Sequence, residues 1–197
     1  MRPELAELGL ADAPERWAAL GFAVGGEDHF DLGGVRVRLG ERGLSWTLRG
    51  VEASDIDGLA TAAPAPPPLA GSEAHENGAV ALDHVVVRTP DFDRTSAALA
   101  AAGLPLRRIR DAGGFRQGFR RLGPAILELV EAPDAPEGPA RFWGLVVVVG
   151  DLDALALRLG ERLGAVRPAV QPGRRIATLR PSAGLGSAVA FMDPEPT

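Results

Sequence analysis

The chain has 197 residues, of which 46% are hydrophobic, so it can fill the core of one or two compact domains. Its 21 basic and 26 acidic residues leave a formal net charge of −5, which argues against an overall attraction to nucleic acid or an anionic membrane. The absence of cysteine excludes disulfides, thiolate metal sites and cysteine nucleophiles. Glu4 and Glu7 interrupt any secretory signal, and no stretch approaches the roughly 20 apolar residues of a membrane span, so a cytoplasmic protein is expected.

The first 60 residues predict a strand, a helix and further strands. Residues 8–10 form a short apolar stretch, and Pro14 is a helix start signal ahead of Trp17. Residues 31–39 alternate like a hairpin strand, and residues 44–51 predict a last strand. Residues 61–80 follow as a Pro/Ala-rich and then polar segment, which is typical of a semi-rigid linker or of an arm laid on the surface.

After the linker, residues 82–87 predict a strand that is buried for most of its length, although Asp83 and His84 interrupt it. Asp91 follows a proline and begins a helix that Gly103 ends. Three strand-like stretches come next, at residues 106–109, 115–122 and 125–130, separated by Gly-Gly and Gly-Pro turns.

The same order then repeats. A β-branched run at residues 142–149 precedes a helix that Asp151 opens and Gly164 closes. Three further strands are predicted at residues 166–170, 174–179 and 187–191. Because Phe92 and Leu152 align, the internal repeat is about 60 residues long.

These patterns predict an α+β fold with tandem βαβββ modules that form a cupped, mostly antiparallel sheet, and with a shortened third module at the N-terminus. The predicted divisions are the shortened module at 1–60, the linker at 61–80 and a domain of two modules at 81–197. A half-barrel exposes sheet edges and an apolar face, so the N-terminal module is expected to pack on the main domain or on a second chain. A homodimer is therefore expected.

The tandem modules, with the run 82–87 opening the first and 126–131 closing it, resemble the vicinal oxygen chelate superfamily. This group includes glyoxalase I, extradiol dioxygenases, methylmalonyl-CoA epimerase and bleomycin-resistance proteins. The resemblance covers residues 81–194 and extends more weakly over 1–55. It implies a cupped sheet in which the first and last strands of each module supply the ligands of a divalent metal.

His84 and Glu128 match the family's ligand positions in the first module. An imidazole and a carboxylate suit Zn, Ni, Fe, Mn or Co. The same offsets place Gly144 and Ala190 at the two ligand positions of the second module, where neither side chain can coordinate a metal. The loosely aligned equivalents in the N-terminal copy are Ala6 and Thr47.

Both candidate ligands also have readings without a metal. His84 is either a ligand or a polar strand residue whose ring bonds the backbone or Glu128. Glu128 lies in an apolar strand, so its carboxylate needs a partner or a raised pKa. The partner would be Arg116, Arg120 or Arg121. An unpaired Glu128 could instead serve as a catalytic general base for proton abstraction beside a carbonyl.

The arginines from 107 to 121 either line a cup that binds an anionic small molecule or form the solvated face of the sheet. Strand alternation predicts that Val86, Arg88, Ile126 and Val130 share a face with His84 and Glu128. The residues predicted to bind a ligand are Arg88, Arg116, Arg120, Trp143 and Met192, with Arg107, Arg108, Arg110 and Arg121 in the same arginine-bearing stretch.

Three functions are compatible with the sequence. The first is a glyoxalase-like protein that binds a small apolar or anionic ligand in the cup without a metal. The second is a divalent-metal-dependent lyase, isomerase or dioxygenase, and the third is an assembly protein whose cup is filled by side chains. The sequence contains no P-loop, no complete dinucleotide fingerprint and no nucleophile elbow, which disfavours nucleotide-dependent chemistry.

Overall fold

A computed structural model describes residues 2–62 and 73–196 of the chain. Residues 2–62 form a six-stranded sheet and one short helix. These elements are β1 (Glu4–Gly9), α1 (Pro14–Ala18), β2 (His29–Leu32), β3 (Val35–Arg38), β4 (Ser45–Arg49), β5 (Asp55–Ile56) and β6 (Leu59–Ala62).

The rest of the chain contains two modules with the same order of elements. The first module comprises β7 (Ala79–Thr89), α2 (Phe92–Ala101), β8 (Arg108–Asp111), β9 (Arg116–Leu122) and β10 (Ala125–Glu131). The second comprises β11 (Arg141–Val149), α3 (Leu152–Leu159), β12 (Arg167–Pro168), β13 (Arg175–Thr178) and β14 (Ala188–Met192). The α+β fold class and the tandem βαβββ modules predicted from the sequence are thus confirmed.

The two modules form one eight-stranded sheet in the order β12-β13-β14-β11-β7-β10-β9-β8. In each module the first strand runs parallel to the last, which places β7 beside β10 and β11 beside β14. The two first strands, β7 and β11, meet antiparallel at the centre of the sheet. An approximate two-fold axis therefore relates the modules.

Both long helices begin at an aspartate that caps the exposed backbone N–H groups of the first turn. The carboxylate of Asp91 accepts a hydrogen bond from the N–H of Arg94 at 2.9 Å, and that of Asp151 accepts one from Ala154 at 2.9 Å. Both predicted start signals are confirmed. Within the described ranges 2–62 and 73–196, no helix has the length and apolar character needed to cross a bilayer.

The N-terminal sheet has the strand order β2-β3-β1-β4-β6-β5, with β1 and β4 antiparallel at its centre. β1 is parallel to β3, and β4 is parallel to β6. The sheet therefore repeats the two-fold plan of the larger sheet with fewer strands and one helix. The expectation that residues 44–51 form the last strand of a single shortened copy is wrong, because β4 is antiparallel to β1 and begins a second short unit.

The N-terminal sheet packs on the face of the larger sheet opposite to His84, and one hydrophobic core joins the two. Trp46 contacts Phe142 edge to face with ring centroids 5.2 Å apart. Asp57 accepts a hydrogen bond from the guanidinium of Arg94 at 2.8 Å, which anchors the β5–β6 turn to α2. The expected packing of the N-terminal part on the main domain is present within this one chain.

Residues 63–72 of the predicted linker lie outside the described residues. The segment that follows, up to β7, is hydrogen-bonded to the N-terminal part of the chain. His75 accepts a hydrogen bond from the N–H of Ala23 at 3.0 Å, and its other ring nitrogen lies 2.9 Å from the carbonyl of Asp31. Asn77 donates to the carbonyl of Leu20 at 3.1 Å.

Candidate functional site

A cup of about 760 Å³ opens on the face of the eight-stranded sheet that the N-terminal sheet leaves uncovered. Such a volume is within the range of small-molecule sites. Each of the eight strands contributes to the lining, which comprises His84, Arg107, Arg108, Arg110, Gln117, Phe119, Arg121, Ile126, Glu128, Val146, Arg167, Pro168, Ala169, Val170, Gln171, Pro172, Ile176 and Met192.

His84 and Glu128 lie on adjacent strands and face the same cup. In the β7–β10 ladder His84 is paired with Ile126, and Glu128 is paired with Val86 two positions further along. Ile126 also lines the cup, and Val130 packs with Val86 in a small apolar cluster on this face. The predicted sharing of a face by these residues is therefore confirmed.

A β-bulge at Asp83 determines the environment of His84. Residues Val146 and Val147 of β11 pair with His84 and Leu82, so Asp83 has no partner in the β11 ladder. The carboxylate of Asp83 contacts Nδ1 of His84 and accepts a hydrogen bond from the buried Arg174 guanidinium at 2.8 Å. Among the described residues, His84 makes no hydrogen bond to Glu128.

The groups around Asp83 keep its carboxyl deprotonated. Burial by itself would raise the pKa of this carboxyl, but the contact with His84 and the hydrogen-bonded Arg174 guanidinium outweigh burial and lower the pKa. Asp83 is therefore an anion at neutral pH. It fixes the orientation of the His84 ring through Nδ1 and leaves Nε2 as the ring nitrogen outside the Asp83 contact.

Glu128 is bonded to an amide. Its carboxylate accepts a hydrogen bond from the side chain of Gln117 at 2.7 Å, and the Gln117 carbonyl accepts one from Arg110 at 2.8 Å. Burial raises the pKa of Glu128 above its ordinary value, although the nearby His84 and Arg110 oppose this change. An ion pair between Glu128 and Arg116, Arg120 or Arg121 is absent from the described residues.

Positive charge dominates the lining. Five arginines against one glutamate give the lining a formal charge of +4 with histidine neutral, within a chain whose net charge is −5. None of the five forms an ion pair with a carboxylate of residues 2–62 or 73–196, whereas Arg36, Arg94, Arg116, Arg158, Arg174 and Arg175 do. The cup is thus an electropositive concavity in an acidic protein.

Arg116 and Arg120 were predicted to bind a ligand, but they point away from the cup. β9 pairs with β10 so that Phe119 is opposite Glu128 and Arg121 is opposite Ile126, which puts odd-numbered residues of β9 in the cup. Arg116 instead forms ion pairs with Asp93 and Glu131 on the other side of the sheet. The two-residue turn between Leu122 and Ala125 fixes the register of β9 against β10. The sequence alone therefore could have shown that Arg116 and Arg120 lie on the face opposite to Glu128.

The other predicted ligand-binding residues occupy different places. Met192 lies in the lining of the cup, and its contact with a ligand stays a prediction. Trp143 and Arg88 are both outside the lining. Trp143 is 49% exposed, and the guanidinium of Arg88 lies 5.8 Å from the centre of the Trp143 ring. Arg167 and the loop that follows it were missed, because β12 has only two residues and its sequence shows no alternation.

The ladders show which residues of the second module correspond to His84 and Glu128. Gly144 pairs with Ala188 as His84 pairs with Ile126, and Ala190 lies two positions beyond as Glu128 does. The predicted equivalence is therefore confirmed. A Cβ atom on Gly144 would lie 2.1 Å from the carbonyl oxygen of Ala188, so this position has no room for any side chain.

The N-terminal sheet supplies no missing ligand. A bulge separates Leu5 from Glu7 as Asp83 separates Leu82 from His84, so Glu7 and not the predicted Ala6 corresponds to His84. In the described parts of the chain, no three histidine, aspartate or glutamate side chains are placed to hold a metal ion. The residues of the cup do not fit the three or four protein ligands that the resemblance implies.

No protein-family model matches the sequence, and a search of curated proteins gives no significant match. Solved structures do match. Methylmalonyl-CoA epimerase from Mycobacterium tuberculosis is 24% identical with a TM-score of 0.50, over 60% of this chain and 91% of that one. A Streptomyces coelicolor methylmalonyl-CoA epimerase is 20% identical with a TM-score of 0.49, over 59% and 96% of the two chains. A hypothetical protein from Bacillus halodurans is 18% identical with a TM-score of 0.48, over 59% and 95%.

Identity below one quarter establishes likeness of fold and not of chemistry. The fold is the one that the strand order, the parallel first and last strands and the cup describe. The first of these structures belongs to an enzyme group that the sequence resemblance had already named. The chain has the fold of the vicinal oxygen chelate superfamily.

Proposed function

We propose that this protein binds a small organic anion in its cup and does so without a metal ion. The observation that carries the proposal is the set of five cup arginines that have no carboxylate partner among the described residues. Guanidinium groups bind carboxylate and phosphate oxygens in a bidentate geometry. Arg110 and Arg121 each donate to one neutral carbonyl oxygen, of Gln117 and Gly123 respectively, and none of the five donates to a carboxylate of the described residues.

The electrostatics of the cup favour capture of an anion. Low-dielectric walls concentrate the field of like charges inside a concavity, which raises the local concentration of the oppositely charged ligand. The negative net charge of the whole chain makes this field local to the cup. Glu128 adds one carboxylate, which accepts a hydrogen bond from Gln117 and is outnumbered by the five arginines of the lining.

The proposal includes no metal because the cup offers too few free side-chain donors to hold one. His84 is engaged by Asp83, Glu128 is bonded to Gln117, and Gly144 cannot be replaced by a ligand without moving Ala188. A cation with two protein ligands in a cup of formal charge +4 would also be repelled by the arginines.

The test is calorimetric titration of the intact protein with inorganic pyrophosphate and with citrate. We expect saturable binding that weakens about tenfold or more in Arg108→Ser and in Arg121→Ser, because each loses a charge-assisted hydrogen bond. Arg42 is exposed and outside the cup, so Arg42→Ser is the matched control for loss of one positive charge. Unsaturable binding, or equal losses in all three variants, would overturn the proposal.

The alternative that the resemblance implies, a divalent-metal-dependent lyase, isomerase or dioxygenase, has its own test. Metal content is measured by mass spectrometry on protein purified without chelator, for the intact chain and for His84→Ala. We expect no stoichiometric Zn, Ni, Mn or Fe in either sample. Near-stoichiometric metal that is lost in the variant would establish the metal-dependent function in place of the one proposed.

A further inference from the structure

We infer that the ligand is amphipathic, with its anionic head on the first-module side of the cup and its apolar body on the second-module side. This inference rests on the proposed function and specifies the chemical class of its ligand. It follows from an asymmetry between two modules whose backbones have the same plan.

The first module supplies nearly all of the charge. Arg108 and Arg110 lie on the edge strand β8, with Arg107 just before it, and Arg121 faces the cup from β9. Pairing of Arg108 with Phe119 and of Arg110 with Gln117 keeps these guanidiniums on one wall. Four arginines and Glu128 give this side a formal charge of +3. A head group with more than one negative charge matches such a wall.

The second module supplies an apolar wall. Val146, Ile176 and Met192 face the cup from three neighbouring strands, and Val146 and Met192 belong to the apolar cluster on this face. Arg167 is the one charged residue that this side adds to the lining. Arg167 and Gln171 are the polar side chains of this wall, and an alkyl or aryl group that covers the rest of it is stabilised by leaving water.

The loop after β12 points to the same kind of ligand. Residues 168–172 line the cup, and they include two prolines and Val170, which is 70% exposed. Exposed valines are common, but this one borders an apolar concavity of ligand size. The apolar surface of the second module therefore extends to the edge of the cup.

The test compares inorganic phosphate, n-butyl phosphate, n-hexyl phosphate and n-hexanol by calorimetric titration of the intact protein. We expect n-hexyl phosphate to bind best, with a gain of roughly tenfold over n-butyl phosphate from two more buried methylenes. Hexanol is expected to bind weakly, because it lacks the head group. Inorganic phosphate is expected to bind through the arginines alone.

Two isoleucine variants locate the tail. Ile176→Ala removes apolar surface inside the cup, and Ile109→Ala removes the same atoms from a side chain that is 55% exposed outside it. We expect about fivefold weaker binding of hexyl phosphate in Ile176→Ala, with phosphate binding unchanged and no effect of Ile109→Ala. Thermal melts of both variants establish that they are folded.

The outcomes separate the two proposals. Equal affinities for phosphate and hexyl phosphate, both lost in Arg108→Ser, would overturn the amphipathic ligand and leave the anion-binding function standing. Hexanol binding as tightly as hexyl phosphate would overturn both, since the head group would then contribute nothing. A failure of every anion to bind would overturn the proposed function itself.

Discussion

Arg116 and Arg175 occupy equivalent places in the two modules, and each joins the start of its helix to the end of its last strand. The guanidinium of Arg116 lies 2.7 Å from Asp93 and 2.8 Å from Glu131. That of Arg175 lies 3.0 Å from Asp153 and 2.7 Å from Asp193. The internal repeat thus preserves a side-chain interaction in addition to the order of elements.

These ion pairs predict a pH dependence of stability. Hydrogen bonds from Arg116 and Arg175 lower the pKa of Glu131 and Asp193, respectively. A carboxyl with a lowered pKa in the folded state stabilises the protein above its unfolded-state pKa, and this contribution is lost as pH falls through the folded-state value. We expect Arg116→Gln and Arg175→Gln to melt at lower temperature than the intact protein at pH 7.

Acidification provides the measurement. The difference in melting temperature between each variant and the intact protein should shrink as pH falls from 6 towards the lowered pKa values, because the carboxylates are then protonated in both. Arg42→Gln is the control, since Arg42 forms no ion pair among the described residues. A difference that stays constant with pH would show that these arginines act by packing alone.

The buried pair of Arg174 and Asp83 predicts a larger effect. Arg174 is 5% exposed, and it also donates to the carbonyl of Asp193 at 2.7 Å. Removing one partner of a buried ion pair typically costs about 3 to 5 kcal/mol, because the other charge remains without compensation. We expect Arg174→Met to lower the free energy of unfolding by about 3 kcal/mol in urea titrations.

Arg167 serves as the comparison for Arg174. It lies on the exposed strand β12 and forms no ion pair within residues 2–62 and 73–196, so Arg167→Met should change the free energy of unfolding by less than about 0.5 kcal/mol. Equal effects of the two substitutions would contradict the structural role of the Arg174–Asp83 pair. The same Arg174 variant should also broaden the His84 ring signals in NMR spectra, since Asp83 then loses the partner that holds it.

Gly144 occupies the second-module position that corresponds to His84, and a side chain there is expected to destabilise the sheet. The Cβ of any residue at this position would meet backbone atoms of Ala188 at 2.1 and 2.9 Å, and backbone cannot move aside as a flexible side chain can. We expect Gly144→Ala to lower the free energy of unfolding by about 1 to 3 kcal/mol in urea titrations. Gly43→Ala is the control, because a Cβ there would meet nothing within 4 Å. Unchanged stability of Gly144→Ala would show that the strand pair can open to accept a side chain.

The raised pKa of Glu128 predicts a pH-dependent repulsion of a bound anion. Above that pKa the carboxylate repels a bound anion, and below it the neutral carboxyl does not. Glu128→Gln should therefore bind pyrophosphate more tightly than the intact protein at pH 8, since glutamine has the same shape without the charge. The ratio of the two affinities should approach one as pH falls through the raised pKa of Glu128, and this ratio cancels the titration of the ligand itself. A ratio that does not change with pH would assign any pH dependence of binding to another group or to the ligand.

The sequence predicted the features that local rules control and missed those that depend on register. Helix starts at Asp91 and Asp151 follow from capping, and the offset between Phe92 and Leu152 identified the repeat. The direction of β4 could not be read from its composition, because β4 is antiparallel to β1 on one side and parallel to β6 on the other. The bulge at Asp83 was likewise invisible, since its effect depends on pairing with a strand about 60 residues away.

The packing of the N-terminal sheet predicts that the eight-stranded sheet is not stable without it. Val85, Val87 and Phe191 are at most 1% exposed and belong to the core shared by both sheets. Removing residues 1–60 would leave this apolar face in contact with water, and a patch of that kind drives association of chains. We expect the 81–197 fragment to be insoluble or to bind hydrophobic dyes, whereas the intact chain is monodisperse. Light scattering on the intact chain tests the homodimer predicted from the sequence, and a soluble, folded, monomeric 81–197 fragment would contradict the role assigned here to the N-terminal sheet.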